Sequence, residues 1–270
     1  KTASTMTFKH YIITRFNLTQ KCYKDSLGSG VLDDNWLKKR FQLFENYCFP
    51  SLKSQTNKNF EWWVFFDAST PDLYKKKIKI FGALLPNFKP KFKESYQVFE
   101  DTLAQDLLEE IDCKNTDFII TTRLDNDDIF SNKAVEELQN NLVNYKCILE
   151  MPIGYNLEIG KVNKLRKMNY PLNPFISLLE SVENDQKIET VYAHQHGEWT
   201  HLKQIKITNK PQWIQVIHGN NVSNQVKGKE IVAFGSLKGF TFNKPKFRLR
   251  DDFKLVEKQV KKKIKSILYI

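Results

Sequence analysis

The sequence predicts an α/β fold with a mostly parallel sheet flanked by helices, and three observations carry that expectation. Short β-branched or apolar runs alternate with amphipathic stretches through residues 1–150. Charged residues follow those runs directly, where a parallel sheet would gather them along one edge. A basic segment with helical apolar spacing stands apart at residues 241–270.

In chain order, HYIITRF (residues 10–16) reads as a first strand, followed by a polar loop to residue 30. Asp33 or Asp34 is placed to cap a helix in which Leu37, Phe41, Phe44 and Cys48 share a face, with Pro50 as its end. FEWWVFFD (60–67) is a second, largely buried strand, and STPDLYKKKIKIF begins a basic helix with Pro71 near its first turn. KFKESYQVF alternates as a third strand, and TLAQDLLEEI is helical by composition. FIITTRL (118–124) is a further strand, after which Ser131 is placed to cap a helix carrying Val135, Leu138 and Leu142. CILEMPIGY reads as a strand, NPFISLLES (173–181) as a short helix, and ETVYAHQH and QWIQVIHG as strand-like pieces. One domain at 1–240 is expected, with halves at about 1–150 and 151–240, followed by the segment 241–270.

A chain of 270 residues with 41% hydrophobic content and 20 Phe can fill a large core. It contains no apolar run long enough to span a bilayer, and its first residues lack the apolar stretch of a secretory signal. Cys22, Cys48, Cys113 and Cys147 form no Cys-x-x-Cys pair, so a zinc knuckle is not expected and a reduced, cytoplasmic setting is. The net charge is +11, of which residues 241–270 carry 10 − 3 = +7. The remainder holds only 11 − 7 = +4, so charge gives no ground for expecting nucleic acid as a partner. In the 241–270 segment, Phe253, Val256, Val260, Ile264, Ile267 and Leu268 follow helical spacing, with lysines mainly off that stripe. Such a helix suits an anionic membrane surface, at the inner face for a cytoplasmic protein, or else packs on protein.

The chemistry concentrates in TTRLDNDDIF. Asp125, Asp127 and Asp128 cluster just past a strand, where mutual repulsion calls for a cation. Hard oxygen ligands suit Mg²⁺ or Mn²⁺, ions that also hold phosphates. The alternative is a loop of solvated acids, with Asp128 capping the next helix. Arg15 and Asp67 close the first two strands. Arg15 suits phosphate or a surface ion pair, and Asp67 suits a base or ribose or a helix cap. Arg123 suits a phosphate, or serves as counter-ion to the acids.

HYIITRFNL, the spacing Trp36, Arg40, Leu43, Phe44, and then PSLKSQT, FEWWVFFDAST, TTRLDNDDIF, NPFISLLE and WIQVIHGNN together resemble the "putative rhamnosyltransferase" family of bacterial glycosyltransferases, over roughly residues 9–222. The resemblance implies a GT-A fold and a nucleotide-sugar donor bound by Arg15, Asp67, Arg123 and Asp125. It implies a divalent ion on Asp125 and Asp127, with the late His218 completing its shell. It also implies Glu180, ahead of Glu183 and Asp185, as the base of an inverting displacement onto a saccharide or glycolipid acceptor. The implied pathway is surface polysaccharide synthesis. His194 and His196 are expected in structural or acceptor-contact roles, and Trp199 and Trp213 either against sugar rings or in the core. The readings set against this are a non-catalytic carbohydrate- or nucleic-acid-binding module, which needs no acid cluster, and a nucleotidyltransferase. The latter would show a Gly-rich phosphate loop, which TRFNLTQ is not.

Overall fold

The structure, a computed structural model, describes residues 6–19, 30, 32–182, 187–218, 226–247 and 249–268. The chain runs β1 (Phe8–Arg15), α1 (Asp34–Leu43), a π-helical turn (Phe44–Cys48), α2 (Phe49–Lys53), β2 (Glu61–Asp67) and α3 (Asp72–Leu84). It continues β3 (Phe88–Lys93), α4 (Tyr96–Glu110), β4 (Phe118–Arg123), β5 (Ile129–Phe130), α5 (Ala134–Gln139), β6 (Cys147–Glu150) and β7 (Ile153–Glu158). Then follow β8 (Lys164–Asn169), β9 (Ser177–Ser181), a 3₁₀ turn (His196–His201), β10 (Gln204–Lys206), β11 (Trp213–Ile217), β12 (Lys229–Ile231) and α6 (Leu249–Leu268).

A seven-stranded sheet has the order β10-β6-β9-β4-β1-β2-β3 and a five-stranded sheet the order β12-β8-β7-β11-β5. In the larger sheet β4, β1, β2 and β3 are parallel and only β9 runs against its neighbours. This is the mostly parallel, helix-flanked α/β architecture that the strand–helix alternation predicts. Buried side chains on both faces of β2 explain its unbroken apolar run. Trp62, Val64 and Phe66 pack toward α1 and α3, and Trp63 and Phe65 toward α4.

Four local expectations are corrected. Pro50 does not end the first helix. The chain widens into a π turn at Phe44–Cys48, and Pro50 sits in the first turn of α2, where its missing N–H costs nothing. NPFISLLES forms β9 and no helix, because a short apolar run buried on both faces carries no period that separates the two states. The stretch ETVYAHQH forms turns and no strand. KFKESYQVF splits between the end of β3 and the start of α4, with Ser95 as the cap that accepts from Val98 N–H.

The passage from one sheet to the other positions the site. β4 ends at Arg123 in the first sheet and β5 begins at Ile129 in the second, so the acidic loop 124–128 bridges the two. β11 lies antiparallel to β5, with Ile214 opposite Ile129. Continued past Val216, that register brings the residue after β11, His218, back over the acidic loop.

Candidate active site

The acidic loop is locked by its middle residue. Asn126 donates from Nδ2 to the carbonyls of Arg15 (3.1 Å) and Phe16 (2.9 Å), and its Oδ1 accepts from Arg40 Nη1 at 3.0 Å. With Asn126 turned inward, the carboxylates on either side are presented separately. Asp127 Oδ2 accepts from Arg40 Nη1 at 2.8 Å and lies 2.8 Å from His218 Nε2. Burial works to raise the Asp127 carboxyl, but Arg40 and His218 outweigh it and hold it below its usual range. Asp128 behaves oppositely: burial first, then Asp127 and Asp125, push its carboxyl well above the usual range. It caps no helix; its Oδ1 accepts from Val216 N–H at 2.8 Å and ties β11 to the loop.

The residues expected to hold a divalent ion are brought together in part. Asp127 Oδ2 and His218 Nε2 are hydrogen-bonded at 2.8 Å, which brings a carboxylate and an imidazole together, a donor pair that suits Mn²⁺. Arg40, itself packed 4.9 Å over the Trp36 ring, orients Asp127 as an outer partner would. Asp125 lies toward the other side of the loop, close enough to Arg15, Tyr192 and His196 to act on their charges. Among the described residues no three such side chains converge on one point.

Beside Asp125, Arg15 and Arg123 flank one tyrosine. Their guanidinium carbons stand 5.1 and 4.7 Å from the Tyr192 ring centre, and Arg15 also donates to Tyr96 Oη at 3.0 Å. The Nε atoms of both arginines are buried without a hydrogen-bond partner among the described residues. One buried guanidinium, Arg123, and one half-buried, Arg15, each with an unspent Nε donor, make a site for an anion with several oxygens. His196 adjoins it. Its Nδ1 faces the Leu172 carbonyl, which can only accept, so the proton sits on Nδ1 and the Nε2 lone pair is left as the acceptor. Burial, reinforced by Arg123, lowers the His196 pKa and keeps the ring neutral.

Asp67 is drawn into the protein. Its oxygens accept from Thr19 N–H (3.2 Å), Thr19 Oγ1 (2.6 Å) and Ser69 N–H (2.8 Å), which fastens the loops after β1 and β2. It caps no helix, since α3 has Pro71 at its N-cap and no side-chain cap, and the residue is 1% exposed.

Glu180 stands on strand β9 and not beside the last turn of a helix. It lies opposite Ile119, near the start of β4, while the acids follow the other end of that strand at Arg123. Four residues at about 3.3 Å each put it roughly 13 Å away along the sheet. Both of its oxygens accept backbone N–H groups, from Glu189 (2.8 Å) and Thr190 (3.1 Å). It grips a turn in which Thr190 has a φ of +67°, strained for a β-branched residue, and that turn delivers Tyr192 to the arginines. Glu183 and Asp185 lie outside the described residues. Both tryptophans are core: Trp213 stacks on Phe175 at 4.6 Å, and Trp199 packs edge-on against His194 at 4.7 Å.

Sequence reasoning missed Tyr192, Tyr96 and Asn126, and gave Arg40 only a place in a motif. The one signal for Asn126 is its place between two acids, and the aromatic residues carry none before the fold assembles them.

A family model described as "Putative rhamnosyl transferase" matches residues 9–230. Among solved structures, S. aureus TarS 1–349 in complex with UDP is 13% identical, with 78% of this chain and 61% of that chain covered and a TM-score of 0.46. The same TarS fragment with UDP-GlcNAc is 12% identical, with coverage of 82% and 62% and a TM-score of 0.45. A "putative nucleotide-diphospho-sugar transferase" from Desulfovibrio desulfuricans G20 is 9% identical, with coverage of 77% and 82% and a TM-score of 0.36. The chain thus spans less than two thirds of those TarS chains. A search of curated proteins found no match.

Proposed function

Because the chain belongs to the family described as "Putative rhamnosyl transferase", and is therefore a glycosyltransferase, we propose that it moves a sugar from a nucleotide-diphosphate donor to a hydroxyl of a saccharide or glycolipid acceptor in surface polysaccharide synthesis. The family description suggests rhamnose as the sugar. One observation carries the donor reading: Arg15 and Arg123, with unspent buried donors, stand at the carboxyl edge of the parallel sheet beside the acidic loop.

Breaking the sugar–phosphate bond leaves a diphosphate whose growing charge must be met. Arg15 and Arg123 supply fixed positive charge in a site poor in water, where such groups act most strongly. Mn²⁺ or Mg²⁺ would be held by Asp127 and His218, with Asp125 as the further carboxylate of the loop. Such an ion, when bound, supplies Lewis-acid neutralisation of the leaving group. Arg40 holds the Asp127 carboxylate ionised and oriented. The neutral His196, whose ring feels the charges of Arg123 and Asp125 and whose Nε2 is left as the acceptor, is the group assigned to take the proton of the attacking hydroxyl. A single displacement assisted by one base inverts the anomeric carbon. Family membership supports the enzyme reading over the non-catalytic binding module.

The test is a thermal-shift panel of uridine, thymidine and guanosine diphosphate sugars with Mn²⁺ or EDTA, followed by product analysis by NMR. Stabilisation by one donor, strongest with Mn²⁺, and an inverted product are expected. A retained anomeric configuration contradicts the single displacement, and undiminished turnover in EDTA contradicts the ion.

A further inference from the structure

Helix α6 presents an apolar stripe to solvent. Phe253, Val256, Val260 and Ile264 recur every three or four residues along one face and are 72%, 44%, 50% and 50% exposed. A different face holds the helix to the body: Asp252 Oδ1 accepts from Ala233 N–H at 3.3 Å, and Gln259 Nε2 donates to the Glu230 carbonyl at 3.2 Å. The helix is therefore fixed in place with its stripe turned outward. One residue beyond the Ala233 contact stands Phe234, 81% exposed, the most exposed of the large hydrophobic side chains among the described residues. Two phenylalanines, 234 and 253, thus project from segments joined to each other.

The surroundings are basic. Lys254, Lys258, Lys261 and Lys262 are exposed on α6, where Glu257 pairs with Lys261 at 2.6 Å. The adjoining stretch 226–247 carries Lys227, Lys229, Lys238, Lys244 and Lys246 against the single acid Glu230. Exposed aliphatic and aromatic side chains rimmed by lysines fit an interface between headgroups and acyl chains. Nucleic acid would meet the lysines and leave the stripe in water. No described helix is long and apolar enough to cross a membrane, so the contact is with the surface. We propose that α6 and the Phe234 loop form a docking surface for an anionic lipid bilayer, the lysines meeting phosphate headgroups while Phe234, Phe253 and the stripe enter the interface.

The test is cosedimentation of the full chain with equimolar phosphatidylcholine–phosphatidylglycerol vesicles and with pure phosphatidylcholine. The variants are F234S/F253S and K258E/K261E/K262E, each checked by circular dichroism and by turnover on a soluble acceptor. The full chain should bind the anionic vesicles at low salt and lose that binding at about 1 M salt, where charges are screened beyond about 3 Å. Each variant should keep its fold and turnover but partition at least about tenfold less. Equal binding by both variants and the parent overturns the proposal, as does binding to pure phosphatidylcholine alone. So does a lipid-free dimer seen by light scattering that F253S breaks, because a second copy would then cover the stripe. Tighter binding to single-stranded RNA than to vesicles, abolished only by the lysine variant, also overturns it.

Discussion

Arg15 and Arg123 meet over Tyr192 with unspent donors, so the anion site depends on side chains from two strands and one turn. Arg123→Ala should weaken nucleoside diphosphate binding by roughly tenfold to a hundredfold, since a hydrogen bond to a charged group contributes about 1.5–3 kcal/mol. Arg123→Lys should recover little, because an ammonium cannot replace a planar fork. Titration calorimetry reads both. Glu180 has a different part. Glu180→Gln should lower thermal stability and donor affinity through the Thr190 turn, whereas loss of a base would cut turnover about 10²–10⁴-fold with donor binding intact. Kinetics beside a donor titration separate the two. His10, fully buried, has its pKa lowered by desolvation to about 3. It accepts at Nδ1 from Gln139 Nε2 and therefore donates from Nε2 to Thr122 Oγ1, a neutral ring. The unfolded chain binds a proton near pH 6.5 that the folded chain refuses, so stability is full above pH 6.5 and falls from there toward pH 3. The slope approaches roughly 1.4 kcal/mol per pH unit for this group. Denaturation of His10→Asn across that window should show a shallower slope; an unchanged slope removes His10 as its source.

The acidic loop and β11 form one unit at the scale of elements. Asn126 ties the loop to β1, Asp128 ties it to β11, and the β5–β11 register brings His218 to Asp127. Asn126→Ala should therefore loosen both Arg15 and Asp127, costing about 1–3 kcal/mol in denaturant midpoint analysis for the partners left unpaired. In the second sheet, a Cβ on Gly154 would stand 2.2 Å from the Trp213 ring. Gly154→Ala should destabilise by about 1–3 kcal/mol or more as that ring shifts against Phe175. The parallel strands were legible in sequence because buried central strands lack alternation, and the acids showed as a cluster because they are adjacent in the chain. The His218–Asp127 contact was legible only through a family pattern, since 91 residues separate the partners. The setting of Glu180 was misread for a related reason. A strand and a short helix of apolar residues look alike, and the choice between them decides which edge of the sheet the acid reaches. Tyr192 was invisible, because a turn held by Glu180 and Thr121 places it, and neither contact leaves a mark in local sequence.

Across the whole molecule, the carboxyl edge of the larger sheet holds the arginines and the acidic loop, while α6, more than 100 residues later in the chain, carries an exposed basic and apolar face. The proposed catalytic and docking surfaces use separate residues, so charge reversal on α6 should change vesicle binding and leave transfer to a soluble acceptor intact. The central claim is that the edge built from Arg15, Arg123 and the acidic loop receives a nucleotide-diphosphate sugar. It is tested most directly by titration calorimetry of the native chain and of Arg15→Ala/Arg123→Ala with the stabilising nucleotide as mono- and diphosphate, the fold of each checked by circular dichroism. The account predicts that the native chain prefers the diphosphate at least about tenfold and that the double variant loses that preference while staying folded. A folded double variant that binds the diphosphate as tightly as the native chain would contradict it.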